Sequence, residues 1–237
     1  MPNFYQGEIL LINKPLGWTS FQAVNKLKYG LKQHPSMLLD GKLVHLKIGH
    51  AGTLDPLATG LLIVCTGKKT KEIQKFQDLP KEYTGTFFIG ATTPCYDLEK
   101  PIDHTYPTDH ITETLVTDIV KTFIGPQEQV PPIFSAVMVN GKRAYELARK
   151  GEEVELRAKP ITIYEFEITR LQLPEIDFRI VCSKGTYIRS IARDLGLSLN
   201  SGAHLTALCR TKIGEFNMSS ALSPEEYINK ILADYLK

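Results

Sequence analysis

Cysteine is scarce and never paired. The four thiols of the 237-residue chain, Cys65, Cys95, Cys182 and Cys209, stand far apart and form no CxxC motif. That excludes a zinc ribbon, and three of the four lie in or beside apolar runs, as buried thiols in a reducing, intracellular setting do. No second His, Cys or acid stands at ligand spacing from His50, and the histidines at 34, 45, 104, 110 and 204 are scattered. A zinc or iron site is therefore excluded, and no metal is expected. No uninterrupted apolar segment is long enough to cross a bilayer. The start, MPNFYQGEIL, lacks the charged opening and long apolar stretch of a secretory signal. A cytoplasmic protein with no membrane attachment is the expectation. The TGKKT stretch at 66–70 lacks the glycine that a Walker loop needs five residues earlier, where Leu62 stands, so it is no ATPase loop. No Gly-x-Ser-x-Gly elbow is present, which gives a serine hydrolase little support. Internal repeats and low-complexity tracts are absent too.

What is present is ordinary in bulk and uneven in placement. Hydrophobic residues make up 43% and charged residues 23%, a composition that buries a real core without disulfides or metals. The length fits one large domain or two small ones. Residues 1–81 carry 11 lysines and no arginine against five acids, a net charge of +6. Residues 82–130 carry two basic and eight acidic side chains, a net −6, and the remainder is mildly basic. A basic first third suits phosphates and equally suits a solvated lysine surface.

Periodicity predicts a mixture of strands and helices. Residues 9–13 read as a short apolar strand ended by a turn at Pro15, Leu16 and Gly17. Ser20 reads as the cap of a helix whose apolar positions Phe21, Val24 and Leu27 share a face. Residues 33–46 read as loop, 61–65 as a buried strand, 70–77 as a short helix and 81–90 as a strand. Residues 111–124 form an amphipathic helix stopped by Gly125 and Pro126. A strand at 135–139, a turn at Asn140 and Gly141, and a helix at 143–150 follow. Strands at 161–171 and 178–182 lead to a helix at 187–199 with Ile188, Ile191, Leu195 and Leu199 inward. Ser223 and Glu226 form a capping box with Pro224 at the first helical position, opening a last helix to about Leu236. Strands and helices do not alternate regularly, which argues against a doubly wound sheet. The fold class expected is α+β around a largely antiparallel sheet.

Two stretches carry chemistry. In KIGHAGTLDPLATGLLIVCTG, residues 47–67, one carboxylate, Asp55, stands among three glycines and a proline before the apolar run. Gly49 and Gly52 permit backbone angles or approaches that a Cβ forbids, and Pro56 restricts itself and Asp55. The carboxylate is thus held on a rigid loop, although Asp-Pro and Gly are also plain turn formers. In SKGTYIRSIARDLG, residues 183–196, Lys184 and Gly185 turn the chain into a helix with Tyr187 and Arg189 at its start. At such a junction both side chains can face one cleft, and Arg189 can pair with a carboxylate elsewhere and keep it ionised. A surface arginine stacked on a tyrosine is the plainer alternative.

Taken together these stretches resemble the bacterial tRNA pseudouridine-55 synthase (TruB) family. GHAGTLDPLATGLL is similar to the signature around the family's catalytic aspartate. KEYTGTFFIGATT, VPPIFSAVMVNGKRAYELARKG, CSKGTYIRSIARDLG and GAHLTALCRTKIG resemble later motifs in the same order, so the likeness runs over about residues 9–216. It implies a pseudouridine synthase fold: a central mixed, mostly antiparallel sheet flanked by helices, with an RNA-clamping insertion at 125–155 and a helical tail at 217–237. It implies a single catalytic domain that isomerises uridine 55 in the TψC loop of tRNA, through base flipping, with no cofactor. By residue, it implies Asp55 as nucleophile, Tyr83 as the aromatic stacked on the target base and Arg189 as the aspartate's partner. His50 matches a histidine near the flipped nucleotide, Tyr187 a tyrosine of the pocket and Leu208 an apolar contact to the base. Lys14, Lys68, Lys142 and Arg143 would hold RNA phosphates, with the T arm of tRNA as partner to a monomeric enzyme.

The sequence departs from the family pattern in three places. It ends soon after Phe216, without the C-terminal RNA-binding PUA domain of many members. Met138 stands where a lysine is usual, and ATTPCYDLEKP follows its counterpart only loosely, so Asp97 receives no catalytic role. Whether Asp55 attacks C1′, attacks C6 of uracil or draws a proton from C2′ stays open at this level. A non-catalytic RNA-binding module would use the same basic surfaces with Asp55 as a mere turn residue. A retaining glycosidase needs two carboxylates about 5–5.5 Å apart, and no second acid lies in the motif around Asp55.

Overall fold

The computed structural model describes residues 2–135, 137–139, 141–151 and 155–235. In chain order the main elements are β1 (Ile9–Lys14), α1 (Ser20–Leu31), β2 (Ile48–His50), β3 (Ala58–Thr66), α2 (Ile73–Asp78), β4 (Lys81–Ile89) and α3 (Glu113–Thr122). They continue with β5 (Gly125–Gln129), α4 (Ala144–Arg149), β6 (Lys159–Gln172), β7 (Glu175–Cys182), α5 (Ile188–Ser198), β8 (Ala203–Ile213), β9 (Phe216–Asn217) and α6 (Pro224–Tyr235). The chain divides into two compact units, residues 1–82 with 209–237 and residues 83–208.

The first unit is organised by β3. Its run ATGLLIVCT is apolar at odd and even positions alike, so both faces must be covered. On one face Leu62 and Val64 join Leu10 and Ile12 of β1 under α1 and α6, through Val24, Leu27, Leu31, Ile228 and Ile231. On the other, Leu61, Ile63 and Cys65 pack with Phe76 of α2 and with Ile213. β1 lies antiparallel to β3 from Ile9 opposite Cys65 to Lys14 opposite Gly60, and β2 pairs antiparallel with β3 from Ile48 opposite Thr66 to His50 opposite Val64.

Two sequence expectations are corrected here. The cap of α1 is Thr19, which forms a capping box with Gln22, while Ser20 is buried inside the helix. Phe21 is 68% exposed and Ala23 takes the inner position, because the buried stripe runs through Ala23, Val24, Leu27 and Leu31. The box expected at the last helix is present: Ser223 N donates to Glu226 Oε2 at 2.8 Å and Glu226 N donates to Ser223 Oγ at 3.2 Å. That tail is part of the unit's core rather than an appendage. The expected helix end at Leu236 lies outside the described residues.

In the second unit β6 and β7 form a long antiparallel hairpin, with Phe166 opposite Ile180 and Ile168 opposite Phe178. Phe87 of β4 stacks on Phe178 with ring centroids 4.0 Å apart, and Phe166 meets Phe87, Phe123 and Phe178 edge-on. The other face is wet: Arg170 pairs with Glu175 and Asp177, and Arg179 with Glu165 and Glu167. α5 buries Ile188, Ile191 and Leu195 as its spacing predicts, with Leu199 beside them.

Part of the 125–155 segment belongs to the sheet. Gly125–Gln129 is a strand whose five residues pair with β6, Gly125 opposite Ile163 and Gln129 opposite Lys159. The strand expected at 135–139 is reduced to Met138–Val139, paired with Lys142–Arg143; its Ala136 and the turn residue Asn140 lie outside the described residues, as do 152–154. β8 is a strand of 11 residues that the sequence pattern did not suggest. Every register given above is antiparallel, and helices flank the strands, which is the α+β class expected.

All four thiols are free. Cys65, Cys95 and Cys182 are buried and Cys209 is half-buried. Burial pushes the Cys65 thiol up to about 11, helped by the nearby Glu72, and burial also raises Cys95.

Candidate active site

Asp55 is half-buried in the turn between β2 and β3, and its carbonyl accepts from Ala58 N at 3.1 Å. Bonds fix the chain on both sides of it. Ser20 Oγ donates to Leu54 O at 3.1 Å and accepts from Leu54 N at 2.9 Å. Pro56 O accepts from Gly17 N at 2.8 Å. Gly52 adopts φ +98°, open to glycine alone at little cost, and its carbonyl accepts from Arg210 Nη2 at 3.0 Å. Arg210 Nε donates to Leu61 O at 2.8 Å. Gly60 has φ +100°, and a Cβ there would lie 2.3 Å from the Arg210 carbonyl oxygen, so this close approach needs glycine. A carboxylate held this way loses little freedom when it meets a substrate.

Lys14 belongs to the same frame, which corrects its expected role. Its side chain is fully buried, and Nζ donates to Pro15 O at 2.9 Å and Trp18 O at 2.6 Å, with Pro56 O at 3.4 Å. An ammonium so enclosed is not a phosphate contact. Burial lowers its pKa to about 8; Arg210 adds to that shift and Asp55 opposes it.

His50 ends β2. Its Nδ1 is buried and meets no group in hydrogen-bonding geometry among the described residues, with the Gly52 backbone nearby. Burial first, then the charge of Arg210, holds its pKa below the ordinary value against the opposing Gly52 backbone. The imidazole is therefore neutral at pH 7, able to enter an apolar space without carrying charge.

In the second unit Tyr83 is buried on β4, 9% exposed, and Leu208 is half-buried on β8. Tyr187 is the N-cap residue of α5 in an extended conformation, without a side-chain cap. Its N–H donates to Gln129 Oε1 at 2.8 Å, and its carbonyl accepts from Gln129 Nε2 at 3.2 Å. Arg189, 4% exposed, donates through Nη1 to Cys95 O at 3.2 Å and through Nη2 to Phe134 O at 2.9 Å. Its Nε lies 3.6 Å from Oδ2 of the buried Asp97, whose Oδ1 accepts from Glu99 N at 2.9 Å. Asp97, given no role from the sequence, is thus an ion-pair partner of Arg189.

Lys68, Lys142 and Arg143 are exposed. Among the described residues no three His, Cys, Asp or Glu side chains cluster to hold a metal ion. No helix among them is long and apolar enough to cross a membrane. Sequence reasoning missed Ser20, Arg210 and Gln129 as positioning groups. The one usable signal was an arginine inside GAHLTALCRTKIG, a stretch otherwise apolar enough to be buried.

Comparison with solved structures defines the class. The chain is similar to a chain of a Cbf5–Nop10–Gar1 complex, with a TM-score of 0.70 and 27% identity over 96% of this chain and 55% of that one. A chain of an H/ACA ribonucleoprotein bound to a substrate RNA containing 2′-deoxyuridine gives 0.67 and 24%, over 96% and 54%. The chain spans about half the length of these solved relatives. The fold is that of the pseudouridine synthases, which are isomerases. Sequence comparison narrows the class: residues 41–188 match the family described as "TruB family pseudouridylate synthase (N terminal domain)". A protein of Flavobacterium johnsoniae named tRNA pseudouridine synthase B is 60% identical over 92% of this chain and 93% of its own length. A protein of the same name from Phocaeicola vulgatus is 57% identical over 95% and 93%. The chain belongs to the TruB family of pseudouridylate synthases.

Proposed function

We propose that this chain converts uridine 55 in the TψC loop of tRNA to pseudouridine, with Asp55 as the nucleophile. The observation that carries the reading is the loop around Asp55, bonded on both sides through Ser20, Gly17 and Arg210. A module that only binds RNA has no need of an acid held so closely. The curated relatives, named for tRNA, support the substrate class.

Uridine and pseudouridine are isomers: the bond from C1′ to N1 breaks, one from C1′ to C5 forms, C5 loses a proton and N1 gains one. The balance needs no redox partner. The target uridine is stacked and must first be extruded, at a cost of a few kcal/mol. Stacking on Tyr83 offsets about 1–3 kcal/mol of that. The neutral imidazole of His50 fits the space the base leaves, and Tyr187 and Leu208 contact the extruded base. Asp55 acts on carbon, as carboxylates do in retaining glycosidases. Arg189 is the guanidinium that partners the acid, and Tyr83 or Asp55 takes the C5 proton. Lys68, Lys142 and Arg143 meet phosphates while the segment after β5 grips the T arm. We take the whole chain as one catalytic module, acting as a cytoplasmic monomer.

The test is conversion of an unmodified tRNA transcript, read by mass spectrometry of the T arm after a pseudouridine-specific label. Wild-type protein is expected to modify position 55 and Asp55→Ala to modify nothing while melting like wild type. Conversion by Asp55→Ala would remove the nucleophile assignment.

A further inference from the structure

We propose that Gln129 is a positioning residue for the start of α5, holding Tyr187 and, through the first helical turn, Arg189. The inference deepens the functional reading above and rests on it.

Gln129 is the last residue of β5, and its backbone pairs with Lys159. Its side chain leaves the ladder and is 3% exposed. Both ends of the amide bind one residue: Oε1 accepts from Tyr187 N at 2.8 Å, and Nε2 donates to Tyr187 O at 3.2 Å. The amide thus mimics the partner that an adjacent strand would supply. Tyr187 is the N-cap residue of α5, and its carbonyl also accepts from Ile191 N at 3.2 Å, the first bond of the helix. Just before it the chain turns at Gly185, φ +79°, a junction that can swivel.

The same short run is tied to α5 at further points. Ser190 Oγ donates to Val130 O at 2.8 Å, Arg193 Nη2 to the same carbonyl at 3.2 Å, and Arg189 Nη2 to Phe134 O. Gln129 is the member that fixes the N-cap backbone itself. Without it the Tyr187 backbone rotates more freely, moving its ring and, two residues on, the guanidinium. Misplacement of about 1 Å costs on the order of 100-fold in rate when the displaced groups act on a reacting centre. Glutamine alone offers a donor and an acceptor at this reach without charge.

The experiment uses the full chain with Gln129→Met, which keeps the length and loses both bonds, and Gln129→Glu, which keeps an acceptor and loses the donor. Single-turnover pseudouridine formation, tRNA affinity and thermal melting are measured for each. The expected result is a rate lowered about 10- to 100-fold in Gln129→Met and less in Gln129→Glu, with tRNA affinity within about twofold of wild type. A folded Gln129→Met protein at the wild-type rate overturns the proposal. So does a parallel fall of rate, affinity and melting temperature in both variants, or failure of both to fold, since each marks a merely structural residue. If wild-type protein makes no pseudouridine in tRNA, the functional reading has failed instead.

Discussion

Replacing Lys14 with methionine removes a cation that the fold encloses beside the Asp55 loop. Two effects follow, with different pH dependence. At pH 7 the variant takes the ammonium away from the Pro15, Trp18 and Pro56 carbonyls, of which Pro56 O keeps Gly17 N and Pro15 O keeps Trp18 N, a loss worth about 1–3 kcal/mol for a buried polar group left unpaired, here the Trp18 carbonyl. The second effect comes from the lowered pKa, about 8 against the ordinary 10.5. Above about pH 8 the folded wild type has released the Lys14 proton while the unfolded chain still holds it. Folded protein then binds fewer protons than unfolded, so stability rises with pH until both forms are deprotonated above 10.5. Between pH 7 and about pH 9.5 linkage gives a rise of about 2 kcal/mol that the methionine variant lacks. Urea unfolding of both proteins across that range measures the gap, which is expected to widen by that amount. A gap that stays constant or narrows would refute the reasoning that burial dominates at Lys14.

Arg210→Gln replaces the guanidinium that reaches Gly52 and Leu61 with a shorter, neutral amide and should cost about 1–3 kcal/mol in urea unfolding. The same change removes a charge that holds His50 down, so its NMR titration midpoint should rise; an unmoved midpoint sinks that account. Ser20→Ala deletes a hydroxyl that both donates to and accepts from Leu54, and about 1–3 kcal/mol of stability should go with it. Its turnover should fall while tRNA affinity stays near wild type, and unchanged turnover would argue that the loop holds without the serine. Gly60→Ala combines a positive φ with a Cβ 2.3 Å from a backbone oxygen. It should lose at least about 3 kcal/mol, seen as a drop in melting temperature, and a wild-type melt would contradict the close approach.

Much of this architecture was legible because alternation and turn chemistry are local. The strands β6 and β7, the inner face of α5 and the final capping box follow from the local pattern alone. The glycine and proline pattern pointed to a rigid loop at Asp55, and Gly52 has the positive φ that such a loop needs. What stayed hidden depends on partners distant in sequence. β8 carries a buried arginine and a buried histidine, His204, which interrupt the alternation that marks a strand, and the carbonyls of Leu61 and Gly52 that receive Arg210 are far away in sequence. β5 opens with Gly and Pro, which read as a stop, and Pro is tolerated there because β5 ends its ladder. Lys14 looked like a surface cation because three carbonyls gathered around it cannot be seen in KPLG. Gln129 looked generic for the same reason, since its partner is 58 residues away.

The disposition of the sulfur atoms has a practical corollary for anyone handling this enzyme. Three buried thiols, two of them with raised pKa values, offer little thiolate to an electrophile. Cys209, the one with partial access, sits next to Leu208 on β8. A maleimide dye added at stoichiometric amount should therefore mark one address in the native chain, giving a fluorescent reporter without first engineering a cysteine-free background.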